Sequence, residues 1–480
     1  MSSALLWIGL PVLLGVALLL YRRQDALPLF VAASVSLLLS WAAWQIPIDV
    51  VLQFGPVSLE ITPSFLLFGR SFTLSDAQAP LLAFIYLVEA IWILGTKLAK
   101  PGPLFIPINL ICIGLLVAAL AVEPFLYAAL LIALAAMLQI PLLAPAGTQG
   151  PGVLRFLKFQ IFAVPFILFT GWILSGVEAS PGNLDLVARA GLLLALGFAF
   201  LLALFPFHSW LPMLGMESHP YVVGFLAFFL PSIGLIFGLG FFDRYSWLRD
   251  SSLTYPVLLL AGGLTALLGG LWAARERHLG RMLAYATMLC TGLGLQALGL
   301  GVHSSQVFFA LLLPQALAIW GWAVALSMLY RPEKTGLEIE GLQTQTQSRP
   351  LALLVLLVAV FSVAGLPLLG CFPGRVALLD GVAAASPWAA AASLIGSLGL
   401  LAGGLRLVHG ALASSAAKTS HWVEEVETAP APGQANDLSD PYMWVFSAVV
   451  ILSLLGFGLI PRVFLSAVPD LAGMFSQLAP

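Results

Sequence analysis

Charge is what this sequence has least of. Only 9% of its 480 residues are Asp, Glu, Lys or Arg, against about 25% in an ordinary soluble domain. So thin a supply cannot coat a globular surface of this size, which excludes the soluble enzymes and soluble binding modules. A basic excess is missing as well. Twenty Lys and Arg face 22 Asp and Glu, leaving no surplus to bind nucleic acid or a strongly anionic lipid surface. Cysteine is scarce: Cys112, Cys290 and Cys371 stand singly in apolar runs. They have no metal-ligand spacing and no disulfide framework, and read as small buried hydrophobes. The sequence carries no nucleotide fingerprint, no haem ligand pair and no iron–sulfur cysteine set, so no cofactor is expected. No carboxylate or histidine cluster marks a membrane-boundary enzyme. The N-terminus lacks the basic start of a secretory signal. Its apolar run, residues 4–21, comes before Arg22 and Arg23 rather than after them.

What is present is apolar. Sixty per cent of the residues are hydrophobic and the mean hydropathy is +1.02. A spanning helix needs about 20 apolar residues, and fourteen stretches qualify: 4–21, 28–46, 78–96, 103–121, 124–144, 156–176, 185–206, 219–241, 254–273, 281–301, 305–330, 350–384, 387–410 and 441–466. The twelfth is too long for one straight helix. It contains Gly365, Pro367, Gly370, Pro373 and Gly374, so a helix broken near mid-membrane is expected. The seventh meets a second breaker at Phe205-Pro206-Phe207. Irregular backbone at membrane depth is tolerated where protein buries it or water lines it. With the N-terminus outside, 14 of the 20 Lys and Arg fall on the inner side and 5 outside, with Arg375 inside the broken span uncounted. That bias supports the orientation and an even number of crossings.

The whole chain, residues 1–480, thus reads as one polytopic all-α membrane domain with a core over about 103–410. Two loops are more than connectors. Residues 47–77 alternate in places and contain Gly55-Pro56, which predicts a short external β-hairpin. Residues 411–440 are polar and read as a mobile inner loop.

Ionisable residues at membrane depth are functional candidates by default, and here they are few. Glu89 is the most deeply placed carboxylate. Four patterns carry the rest: Phe205 to Pro212 (FPFHSWLP) with Glu217 and His219 after it; Arg275 to Thr287, containing GRMLAYAT; Val363 to Arg375 (VAGLPLLGCFPGR); and Ser75-Asp76 opening the third span.

At these residues the chain resembles the antiporter-like membrane subunits of respiratory complex I (NADH:quinone oxidoreductase) and of Mrp-type cation/proton antiporters. That family carries PFHxWLP after its seventh helix and KRLLAYSS entering its tenth. Its twelfth helix carries LAGxPPxxGFxGK. The resemblance covers almost the whole chain, with the motifs in order. It implies about 14 helices with the seventh and twelfth broken, and an inverted-repeat fold. It also implies a prokaryotic inner-membrane location and hydrophobic sister subunits as partners.

The resemblance implies a proton relay too, and here the chain departs from the pattern. The family's glutamate in helix 5 falls on Ala133. Its lysines in helices 7 and 8 fall on Leu201 and Ser232. Its helix 12 lysine or glutamate falls on Arg375, and helix 11, Leu313 to Trp320, offers neither histidine nor lysine. A relay needs groups that take up and release protons near working pH; leucine and alanine cannot, and arginine's pKa exceeds about 12. The expectation is a divergent subunit on the same scaffold with the central relay largely lost. The alternative is a stand-alone ion or small-solute transporter. Remaining candidates for an ion path or gate are Arg375, Asp380, His208, Glu89, Lys158 and Ser232. Two readings stand at Arg375: an ion pair with Asp380, five residues on, that holds the break, or a permanent positive gate. Lys158 is either a snorkelling lysine or a polar contributor to the path, and His208 either a satisfied interface histidine or a marker of where protons enter. Asp76 reads as a helix cap, and Glu217, His219 and the Arg275–Arg281 cluster as solvated inner loops.

Overall fold

The computed structural model describes residues 3–21, 26–46, 48, 51–54, 57–60, 64–144, 150–179, 184–330, 337–339, 342, 348–417 and 437–478. Most of the polar 411–440 loop lies outside them. The chain is overwhelmingly helical. A π-helical turn, Leu5–Gly9, leads into α1 (Leu10–Tyr21), followed by α2 (Ala26–Gln45), α3 (Ala79–Ala99) and α4 (Phe105–Ala121). Then come α5 (Ala128–Leu138), α6 (Ile140–Leu143), α7 (Pro151–Ala179), α8 (Leu184–Leu201), α9 (Trp210–Glu217), α10 (Pro220–Arg244) and the short α11 (Ser246–Asp250). The second half comprises α12 (Thr254–Arg275), α13 (Leu279–Leu298), α14 (Ser304–Leu329), α15 (Pro350–Ala364), α16 (Phe372–Ala385), α17 (Pro387–Ala417) and α18 (Pro441–Leu459). Two short turns, α19 (Pro461–Phe464) and α20 (Val468–Ala472), finish it. Among the described residues nine helices are long and apolar enough to cross a bilayer, and three shorter apolar helices accompany them. Each of the fourteen apolar stretches of the sequence contains helix.

The expected hairpin is two hairpins. Strand β1 (Val51–Phe54) pairs antiparallel with β2 (Val57–Glu60), and β3 (Ser64–Leu67) with β4 (Arg70–Thr73). β4 also pairs with β5 (Val122–Glu123), which ties this cap to the end of α4. The Arg70 guanidinium lies 3.9 Å from the centre of the Tyr127 ring and donates to its hydroxyl at 2.5 Å.

Both expected breaks are present. The seventh span is α8 and α9, interrupted over residues 202–209; the twelfth is α15 and α16, interrupted over residues 365–371. Proline and glycine explain both sites. Gly365 takes φ +83°, the left-handed residue that ends α15. Two sets of helices follow in order, α4 to α10 and α12 to α17, and each has its break just before its last long helix.

Burial separates core from lipid face. Helices α10 and α13 bury almost every side chain, as helices that are apolar all round must. In contrast α2, α7 and α18 present large apolar side chains outward, among them Phe30, Trp172 and Val445. Close approach inside the bundle relies on small residues. A Cβ built on Gly270 of α12 would sit 1.8 Å from the Gly396 carbonyl oxygen of α17, so those backbones touch.

Candidate functional site

Arg375 sits in the first turn of α16 and is only 3% exposed. It turns back across the break. Its Nη1 donates to the Ala364 carbonyl at 2.9 Å and to Ser397 Oγ at 2.5 Å; Nη2 donates to the Val363 carbonyl at 2.5 Å. Ser397 Oγ in turn donates to the Ser393 carbonyl at 2.7 Å. The last carbonyls of α15 have no partner within the helix and carry about half a negative charge, so a cation is the group they favour. The left-handed Gly365 makes room: a Cβ there would lie 2.6 Å from Arg375 Cδ. The Arg375–Asp380 pair does not form. Residues five apart on a helix are about 140° apart around its axis, and Asp380 is exposed on another face.

Ser232, on α10, donates Oγ to the Phe228 carbonyl at 2.6 Å. It lines a cavity of ≈ 20 Å³ together with Thr287, Cys290 and Thr291 of α13 and Gln315 of α14. That is room for one water with polar neighbours to hold it. Gln315 Nε2 is buried without a partner. Two in-helix prolines, Pro231 and Pro314, interrupt the main-chain hydrogen bonding of the helices that contribute Ser232 and Gln315.

Glu89 is completely buried on α3, and neither carboxyl oxygen has a hydrogen-bond partner among the described residues. It lies within electrostatic reach of Tyr86, Cys112 and Tyr221. Tyr221 accepts from Trp320 Nε1 at 3.3 Å and donates to the Trp92 carbonyl. Trp320 neighbours Ile319, which lines the small cavity, and Cys290 on the cavity's other wall lies within electrostatic reach of Arg375. The string of polar groups is discontinuous: Tyr221 and Trp320 share a hydrogen bond, Gln315 and Cys290 line the cavity, and Arg375 bonds Ser397, with no hydrogen bond joining the three among the described residues. Beyond Ser397, Ser393 donates to Gln296 Oε1 at 2.5 Å, and Gln296 Nε2 donates to the Ala389 carbonyl at 3.0 Å.

Ala133 and Leu201 are each 1% exposed, apolar members of the core. The polar group beside Leu201 is one the sequence reading passed over: Gln160 of α7, fully buried, donates to the Leu201 carbonyl at 3.4 Å. Lys158, two residues earlier, is exposed and stands apart from the string. His208 lies in the α8–α9 break, its ring stacked on Trp272 with centroids 4.6 Å apart. Its Nδ1 is buried and unpartnered. Asn109 and Gln139 form a further buried pair at 3.0 Å; two neutral amides in separate spans give no sequence signal of pairing.

The loops read from the sequence as solvated are tied down by hydrogen bonds. Glu217 accepts from the Gly152 N–H at 2.9 Å, placing a carboxylate on the N-terminus of α7. His219 caps α10, its Nδ1 accepting from Tyr221 N at 3.3 Å, and burial pushes its imidazole down to about 4. His278 caps α13 by accepting from Arg281 N at 3.4 Å and is also lowered, mainly by burial. Arg281 pairs with Glu276 at 3.4 Å. The loop is pinned to residues 337–339 through Leu279 N to the Leu337 carbonyl, 2.7 Å, and Ile339 N to the Arg277 carbonyl, 3.0 Å. At the third span the cap comes from a Ser75–Gln78 box, while Asp76 accepts from the Ile48 N–H.

The transmembrane family described as NADH:quinone oxidoreductase/Mrp antiporter matches residues 173–401, a stretch that holds both breaks, Ser232 and Arg375. NADH-quinone oxidoreductase subunit 13 of Thermus thermophilus is 30% identical over 298 residues, covering 59% of this chain and 57% of that protein. The match thus spans little more than half of that relative's length. A chain of respiratory complex I from Thermus thermophilus superposes over 100% of both chains with TM-score 0.72 at 23% identity. A chain of the Mrp complex from Dietzia sp. DQ12-45-1b superposes over 99% of both with TM-score 0.72 at 18% identity. At those identities the superpositions establish the fold. The family match across both broken spans and these superpositions make the chain similar, in sequence over that stretch and in fold throughout, to the antiporter-like membrane subunits of complex I and the Mrp antiporters.

Proposed function

We propose that the chain is a membrane-arm subunit of a complex-I-like or Mrp-like assembly in which the central proton relay is largely lost. On this reading it crosses a prokaryotic inner membrane fourteen times with both termini outside, and packs against other hydrophobic subunits of the same assembly. Redox chemistry belongs to other chains. The observation that carries the proposal is the clasp on Arg375. At the position where a releasable proton is needed, a permanently charged guanidinium makes two hydrogen bonds across its own break and a third to Ser397 of α17. Leucine at 201 and alanine at 133 support it, since both fill the core with apolar atoms. The related Thermus protein, named as an NADH-quinone oxidoreductase subunit, supports the assembly reading.

The test is proton flux through proteoliposomes holding the purified chain, read with an interior pH-sensitive dye under an imposed potential. The proposal expects flux at the level of empty vesicles. Flux that depends on Glu89 would instead favour the second reading, a stand-alone conductor. That reading draws on one observation: Glu89 is a fully buried carboxyl with no hydrogen-bond partner among the described residues.

A further inference from the structure

A second cavity, of ≈ 860 Å³, opens between α8 on one side and α10, α12 and the 246–254 turn on the other. Helix α8 packs against α7 and meets α10 at two places. Leu202 closes the deep end on Gly234, where a Cβ would lie 2.6 Å from Leu202 Cδ2. Further out, the Phe198 ring stands 5.5 Å from that of Phe237 and 5.8 Å from that of Phe241, and forms part of the slot wall. The slot extends along α10 from Gly234 to Phe242, which at 1.5 Å per residue is about 12 Å. That is close to the depth of one leaflet of a hydrocarbon core about 30 Å thick. Its walls are apolar, among them Leu192, Ala195 and Phe198. Gly191 faces it with nothing within 4 Å of a built Cβ.

The mouth is of different chemistry. Trp247 stands in the lining with its indole N–H buried and unpartnered. Ser251, Ser252 and Thr254 put hydroxyls on the same rim. An amphipathic aromatic at the end of an apolar slot is the arrangement found where acyl chains give way to ester groups.

We propose that this slot is a binding site for one phospholipid, whose acyl chain fills the space lined by α8, α10 and α12 and whose ester oxygens meet the rim hydroxyls beside the Trp247 ring. The dead end at Leu202 and Gly234 decides against a helix of a partner subunit. A spanning helix needs the full bilayer thickness, and the slot stops half-way.

The experiment uses the full chain in nanodiscs of phosphatidylglycerol that carries a photoreactive diazirine on its acyl chain. Labelled residues are mapped by mass spectrometry. Labelling is expected to concentrate on residues 187–202 and 234–242, above the level around Trp172, which is 78% exposed on the open face of α7. Gly191→Trp fills the slot and is expected to cut that labelling about tenfold, the effect of excluding roughly two methylenes. Gly191→Ala, which adds one methyl to open space, retains it and shows that the helix tolerates a side chain there. Labelling of the slot no denser than around Trp172, or unchanged in Gly191→Trp, overturns the proposal. So does a slot that is labelled in the isolated chain but dark in native membranes, which would assign the space to a partner protein.

Discussion

The Arg375 guanidinium donates to the Val363 carbonyl across the break in the twelfth span, so one side chain of α16 completes the last turn of α15. Ser397 of α17 shares the same guanidinium. The break is thereby a built feature, held from both sides, rather than a gap in a helix.

Removing the guanidinium leaves two carbonyls of the break without their charged donor. Arg375→Ala is expected to destabilise the chain by about 3 kcal/mol, the scale of a buried charge-assisted cluster. Arg375→Lys keeps the charge but cannot make the fork, and should cost about half as much. Thermal unfolding in one detergent, followed for the three proteins together, checks the order. Equal melting temperatures would mean that the clasp holds nothing.

Among the described residues Glu89 has no hydrogen bond to lose. Glu89→Gln is therefore expected to leave stability within about 0.5 kcal/mol of the parent. Glu89→Lys puts a longer cation into the same fully buried site and should abolish folding into the membrane. A large loss in the glutamine variant would show that the carboxyl has a partner in the assembled protein.

Glu217, at the end of α9, satisfies the N-terminus of α7. Its replacement by alanine should cost about 1 kcal/mol and raise hydrogen exchange at Gly152 and Val153 without touching α10. Gly152→Ala tests the same contact from the other side, since a Cβ there would lie 2.7 Å from Glu217 Oε2.

Acid should loosen two caps. His219 and His278 both accept a main-chain hydrogen bond through Nδ1, which requires a neutral ring. Burial holds both imidazoles below their ordinary value of 6.5, His219 at about 4. A folded-state pKa below the unfolded one gives stability that is complete above about pH 6.5. It is lost as pH falls toward the folded values. Asparagine caps helices without titrating, so the melting temperature of a His219→Asn, His278→Asn variant should fall less between pH 7 and pH 4.5 than that of the parent. Parallel curves would show that neither cap titrates.

Much of this architecture is legible in the sequence because proline and glycine mark the breaks and apolar runs mark the spans. Side-chain direction is not. Lys158 draws notice as a charge, yet Gln160, two residues and about 200° further round α7, is the one that faces the core. Asp380 is the nearest carboxylate to Arg375 along the chain but sits on the wrong face, whereas the actual partner, Ser397, comes from the next helix. Glu217 and Gly152 are 65 residues apart, so nothing local announces their bond. The neutral pairs Asn109–Gln139 and Gln296–Ser393 are hidden for the same reason: each needs two helices already packed.

The measurement that tests the account most directly is purification from native membranes in a mild detergent, with mass spectrometry of everything retained. The account predicts stoichiometric co-purification with several other hydrophobic subunits of a complex-I-like or Mrp-like assembly. A stable chain recovered alone, without such partners, would contradict it.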